Sequence, residues 1–465
     1  MHRSARSALT LWVAPWILAG TIAPAAIAQS SAPEPVPTGV PALDDLGSTP
    51  RVEPSVDVKA VQLREKAQLE AVDAHLRFVL RGRGEELEQY EAWAAERPCP
   101  TCLRYFELTP ETGIAQTLNG ILDAVGGADH AAYLNLVSPA DPVFFTEEWN
   151  WFRDVMDRPL ESFSFQWSSD EIELNEAGLV ATVPLTVLWN MPGGANREVS
   201  FPAAFHRTSS GAWKYAGRAW RVAEGAHAKV LFAEEHQRED AEAIIAALPA
   251  IMAHVHEGLE TPMPEDYLQE VKIYTAMPEL QYSIYPSYVD PLGGWNEPGE
   301  AIKLLDHGGD SFDVVVAHEY GHVVTFMMGP RITEAPWWVL EGTAELAAER
   351  FQGTRQARML DRMVRRWAEN GQLADWEDIS DFRSTPNRLM AHVYVQGKHM
   401  MGYISERFGR SARNAWLVAI ANGSSPDEAS RSALGVGFAE LDAAWRESLA
   451  PEEQPVDEPV GASPN

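Results

Sequence analysis

Cysteine is nearly absent from this chain, and basic residues are scarce. There are two cysteines in 465 residues, and 37 Lys and Arg against 67 Asp and Glu, which leaves a net charge of −30. So acidic a chain is a poor partner for nucleic acid or for an anionic membrane surface, and the charge favours solubility. Beyond the first 28 residues no segment is long and apolar enough to span a membrane, and no internal repeat is visible. The two cysteines lie together in Pro98-Cys-Pro-Thr-Cys-Leu103. A redox pair, half of a metal site and a small structural disulfide compete for them. A thioredoxin-like pair follows a strand, whereas Glu85–Glu96 reads as helix, and no further cysteines or histidines complete a metal site. In an oxidising compartment a local Cys99–Cys102 disulfide is the plainer reading.

Residues 1–28 read as a secretory signal. Arg3 and Arg6 precede a largely apolar stretch from Leu9 to Ala23, and Ala26-Ile-Ala28 offers a small-x-small cleavage site before Gln29. An uncleaved anchor fits less well, because Pro15, Gly20 and Pro24 interrupt the stretch. No cysteine follows the site to carry a lipid. The expected product is exported, periplasmic or extracellular. Residues 29–54 and 451–465 are rich in proline, small residues and acids, as disordered linkers and tails are.

The residues between hold two or three domains. Residues 55–110 read as a helical segment, with Ser55 placed as a cap and Val61, Leu63, Leu69, Val72 and Leu76 as an apolar stripe. Residues 111–227 give amphipathic helices and then period-two strands: Phe163, Phe165 and Trp167, then Leu179 to Trp189, Val199–Phe205 and Trp213–Val222. Helices followed by a curved antiparallel sheet resemble the nuclear-transport-factor-like cone, an α+β fold. Order and periodicity alone carry that resemblance. Residues 228–450 begin again with a strand near Lys229–Ala233, a helix from Glu239 to Val255, and strands near Val271–Thr275 and Ala301–Leu305. A helix capped by Asp310 or Ser311 then runs to Gly329.

That helix holds His318-Glu-Tyr-Gly-His322, an H-E-x-x-H pattern. Two histidines four apart project from one helical face and can share an ion. Glu319 stands beside them, where a carboxylate can take a proton from an activated water. The motif sits among valines and before Phe326-Met-Met328, so its polar groups are expected in a cleft or buried, where lacking a partner is costly. After breaks at Gly329-Pro330 and Ala335-Pro336 comes Trp337-Trp-Val-Leu-Glu-Gly-Thr-Ala-Glu345. It offers Glu341 as third ligand, and Glu345 one turn later to accept a histidine's free ring N–H. Three protein ligands leave a fourth position open, as in catalytic rather than structural zinc sites.

The pairing of His318–His322 with Trp338–Glu345 resembles the gluzincin metallopeptidases, with the spacing of the aminopeptidase N type and phrasing similar to small peptidase MA-like domains. Tyr394-Val-Gln-Gly397, Met401–Gly409 and Phe438–Leu449 resemble that family's later helices. Gly293–Leu305 resembles its cleft-edge strand. The likeness covers about residues 228–450. It implies a mostly helical catalytic domain with a small edge sheet and one Zn2+ per chain on His318, His322 and Glu341. It further implies Glu319 as catalytic base, Glu345 as support and Ala301–Leu305 as the strand that binds peptide backbone. Tyr394 would stabilise the oxyanion, or else be a core tyrosine, with His392 and His399 as alternatives nearby.

The expected function is hydrolysis of peptide or protein substrates. Aminopeptidases of this type carry G-x-M-E-N before H-E-x-x-H; here Gly294-Trp-Asn-Glu-Pro298 departs from it, so internal cleavage is expected over aminopeptidase action. A catalytically silent peptidase-fold module for binding or assembly is the other class, and hydrolysis of a non-peptide amide or an epoxide also fits the ligands.

Overall fold

The computed structural model describes residues 57–265, 267–306 and 312–450. The signal and linker readings, Ser55, the Asp310/Ser311 cap and the acidic tail lie outside the described residues. The fold is α+β. Asp57 caps α1 (Val58–Val79), which buries Val61, Leu69, Val72 and Leu76. Leu63 does not join that stripe: it is exposed, because it falls on the opposite face. Helix α2 (Gly84–Glu96) follows, and a disulfide joins Cys99 to Cys102 before the next helix. Helices α3 (Pro110–Gly127), α4 (His130–Leu136) and α5 (Pro142–Asp157) begin at Thr109, Asp129 and Asp141, whose side chains accept from backbone N–H groups of the first turn.

Against them lies an antiparallel sheet of β1 (Ser162–Gln166), β2 (Glu173–Leu174), β3 (Val180–Asn190), β4 (Arg197–Arg207) and β5 (Trp213–Arg218). Its order is β1-β3-β4-β5, with β2 also on β3. Alternation decides its faces: Ala181, Val183, Leu185, Val187 and Trp189 of β3 are buried, and the residues between them are not. The chain leaves this sheet after Arg218. The single strand expected over Trp213–Val222 is therefore two, because Arg221–Glu224 (β6) pairs with β7 (Ala228–Phe232) in a second sheet. That sheet starts at Arg221, seven residues before the expected boundary.

The second sheet adds β8 (Gln269–Tyr274), β9 (Gly294–Trp295) and β10 (Ile302–Leu305) in the order β6-β7-β8-β10-β9. The β7–β8 and β8–β10 pairs are parallel, and the outer pairs are antiparallel. Helix α6 (Arg238–Leu259) crosses over from β7 to β8, α7 (Met277–Ile284) follows β8, and α8 (Asp313–Met327) packs on α6. Next come α9 (Trp337–Ala348), α10 (Thr354–Glu369), α11 (Gly397–Phe408), α12 (Arg410–Ala421), α13 (Pro426–Leu434) and α14 (Phe438–Ser448). One apolar core runs through all of these, with Trp338, Trp416 and Trp445 fully buried.

The two parts meet over buried charge. Glu147 of α5 is reached by Lys272 of β8 at 2.5 Å and by Lys303 of β10 at 3.8 Å. Trp151 and Trp189 donate to the carbonyls of Tyr282 and Pro286. Buried ions that are all paired hold a docking geometry, and removing one partner is far costlier than never having had the pair. No helix among the described residues is long and apolar enough to cross a membrane.

Candidate metal centre

Helix α8 is apolar almost all round. Val316, Ala317, Tyr320, Val323 and Val324 are buried, and the Tyr320 hydroxyl meets His256 Nε2 at 3.0 Å. His318, Glu319 and His322 are thus carried into the interior rather than onto a solvated face. Helix α9 crosses at close range because the contact is lined by small residues. A Cβ on Gly321 would lie 2.9 Å from Ala344 Cα, and one on Gly342 would lie 2.4 Å from the Gly397 backbone. The crossing brings Glu341 over the two histidines.

One donor atom from each of His318, His322 and Glu341 lies within 4.8 Å of the others. A single oxygen of Glu341, Oε2, faces both rings, 3.1 Å from His318 Nε2 and 3.3 Å from His322 Nε2. The other oxygen accepts from Trp337 Nε1 at 2.8 Å. On the far side of His318, Nδ1 faces Glu345 Oε1 at 3.3 Å, and Glu345 in turn accepts from Gln352, which accepts from Lys398. That carboxylate fixes the His318 tautomer and leaves Nε2 for the shared centre. His322 Nδ1 has no such partner among the described residues.

The electrostatics match the geometry. Burial alone would raise Glu341, but His322 and His318 outweigh it and hold the carboxyl well below its usual range. Burial alone would lower His318, yet its bonds to Glu341 and Glu345 drive it well above an ordinary imidazole. Glu319 is 6 % exposed, and burial pushes its carboxyl up. Its neighbour is β9: a Cβ on Gly294 would lie 2.5 Å from Glu319 Oε1 and 2.9 Å from Val315 Cγ2, so a larger residue there would displace the carboxyl. Two imidazoles and a carboxylate converging on one point, held by buried partners, are a donor set that suits a divalent metal.

Tyr394 lies in a π-helical turn, His392–Gln396, that leads into α11. Its ring is 6.1 Å from that of His318 and 6.0 Å from that of Trp337. Burial first, and then Glu341, keep its hydroxyl protonated. His392 and His399 do not join the site. His392 stacks on Trp367 at 3.9 Å and meets Gln396, while His399 accepts from Trp445 and pairs with Asp361. Their partners lie on the π turn itself, α10 and α14. The expectation for Ala301–Leu305 also needs correction. Strand β10 is flanked on both sides, and the sheet edge is the two-residue β9, paired through Trp295–Lys303 and Gly294–Leu304. Glu297, just beyond β9, accepts from the Tyr285 hydroxyl at 3.3 Å, and its strongest electrostatic neighbours are Glu300, Arg83 and Lys303 rather than the triad.

Sequence reasoning missed Trp337 and Tyr288. Trp337 could have been found, since it precedes Glu341 by four residues on one helix face. Tyr288, whose hydroxyl is within electrostatic reach of Glu341 and Glu319, comes from a loop and carried no spacing signal.

No protein-family model matches the chain, and no curated protein matches it. Among solved structures that resemble it is an M1 zinc metallopeptidase from Deinococcus radiodurans, at 15% identity and a TM-score of 0.32. The alignment covers 65% of this chain and 63% of that one. This chain therefore spans under two thirds of that enzyme's length, and so distant a likeness carries no argument about chemistry.

Proposed function

We propose that this protein is a zinc-dependent peptidase of the gluzincin type that cuts within peptide chains. The observation that carries the reading is the convergence of His318 Nε2, His322 Nε2 and Glu341 Oε2 beside the buried carboxyl of Glu319. His318, His322 and Glu341 would hold the ion. Zinc in such a site supplies Lewis acidity, which makes water nucleophilic near neutral pH and polarises a scissile carbonyl. Glu319 takes the proton of the attacking water and returns it to the leaving amine, a role suited to a carboxyl whose proton affinity burial has raised. The Tyr394 hydroxyl donates to the developing oxyanion. Gly294, at the sheet edge beside Glu319, turns its backbone groups away from β10 and has no strand on that side among the described residues, so an extended peptide can add there as a further strand.

Internal cleavage is favoured over removal of terminal residues, since Glu345, the carboxylate that touches the triad, is taken up by His318 Nδ1 and Gln352, and the strongest electrostatic neighbours of Glu297 are Glu300, Arg83 and Lys303. Export to the periplasm or beyond, read from residues 1–28, belongs to the same proposal. The purified protein, digested against paired Nα-acetylated and free peptides, should cut both about equally at internal bonds. A chelator should abolish cleavage, and zinc should restore it. Products formed only from free termini, seen by mass spectrometry, would make it an aminopeptidase.

A further inference from the structure

One turn of α8 beyond Glu319 lies a cavity of about 370 Å³, walled by Val79, Val143, Val323, Phe326, Met327 and Ile332. It lies next to the triad along α8, though no triad residue lines it. The Phe326 ring lies parallel to that of His322 at 6.0 Å, and Asn296 and Glu297 follow β9 directly. Its outer wall comes from the N-terminal helix α1. Gly299, at φ +78°, packs so tightly there that a Cβ would come within 2.2 Å of Val79, and His75 Nε2 meets the Gly299 carbonyl at 2.8 Å.

Three carboxylates line this cavity, and they are not equivalent. Glu270 is paired with Lys229 at 2.6 Å, and Glu300 with Lys303 at 2.9 Å. Glu297 has no cation within ion-pair distance among the described residues, only the Tyr285 hydroxyl. Of the arginines at the rim, Arg83 acts on Glu297 only at a distance and pairs with Glu86 at 3.3 Å, and Arg81 lies over the Phe78 ring. Next to Glu297, Asn296 is 8 % exposed, and its Oδ1 has no hydrogen-bond partner among the described residues. A buried acceptor without a donor is costly, and here two under-satisfied acceptors line one apolar cavity. The complement is a long alkyl stem that ends in several N–H donors.

We propose that this cavity receives the side chain of a lysine or arginine of the peptide substrate, its stem along Val323 and Met327 and its cationic head at Glu297 and Asn296. The assignment rests on the peptidase reading, and it makes α1 part of the specificity machinery. A free α-amino group has no stem to fill the apolar walls, which is why a side chain is the better occupant.

The test uses Nα-acetylated peptides that differ only in carrying lysine, arginine or norleucine at each position around the cleaved bond. Zinc-loaded protein should show, at one position, a kcat/KM at least tenfold higher for the two basic residues. The same lysine peptide should bind the zinc-loaded Glu319→Gln protein at least tenfold more tightly than its norleucine twin, by calorimetry. Glu297→Gln should bring both ratios close to one. Ratios near one in the unsubstituted site, or a preference that survives Glu297→Gln, would overturn the pocket while leaving peptidase action intact. A binding preference in a protein that cuts no peptide would support the pocket and sink the peptidase reading.

Discussion

At Glu341 one carboxylate oxygen faces two imidazoles and the other is held by an indole, so this residue sets how well the centre is organised. Removing the indole donor should loosen it. Trp337→Phe is expected to weaken zinc affinity about 10- to 100-fold, the usual cost of losing an outer partner, as measured by competition with a chromophoric chelator. Tyr394→Phe separates the two readings of that tyrosine. As an oxyanion donor its loss lowers kcat about 100- to 1000-fold with KM little changed; as a core residue only, the variant keeps kcat and shifts thermal stability instead. The triad was legible because H-E-x-x-H and E-G-x-A-E are local spacings on helices, which sequence displays directly. His392 and His399 were alternatives only by their nearness to Tyr394 in sequence, which does not fix the face of a helix: His392 stacks on Trp367 and His399 pairs with Asp361.

Among the elements, the α8–α9 crossing and the contact of α9 with the π turn position the chemistry. Gly342→Ala would drive a methyl into the Gly397 backbone. The expected result is a loss of about 1–3 kcal/mol in stability by chemical denaturation, typical of overpacking, together with weaker metal binding as Glu341 shifts. Helices α1, α6 and α8 and strands β1, β3, β4, β7 and β8 were readable from period and motif, but α7, α10, α12, α13 and β9 were not read. The two residues of β9 carry no periodicity of their own. A second element-scale test concerns α5. Burial pushes Glu148 up to about 7, with the Tyr133 hydroxyl opposing the shift and Glu147 adding to it. A carboxyl whose pKa is raised on folding contributes stability below its unfolded value near 4.5 and loses it as pH climbs through 7. The melting temperature of the native chain should therefore fall relative to that of Glu148→Gln between pH 5 and pH 8. A constant difference across that range would contradict the assignment.

Across the whole molecule, the helix-and-sheet unit at the N-terminal end meets the second sheet through Lys272, Lys303 and Glu147, and lends α1 to the groove beside α8. Neither contact was visible in the sequence, because lysines in strands read as solvated faces until their partners are known. The acidic composition selects no substrate. The central claim is that Glu319 activates water at a zinc ion held by His318, His322 and Glu341. Its most direct test is Glu319→Gln, with metal content and hydrolysis measured on one preparation. One zinc per chain should be retained while kcat for a susceptible peptide falls by about 100- to 10,000-fold, the range of a general base. A variant that keeps its zinc and full activity would contradict the account.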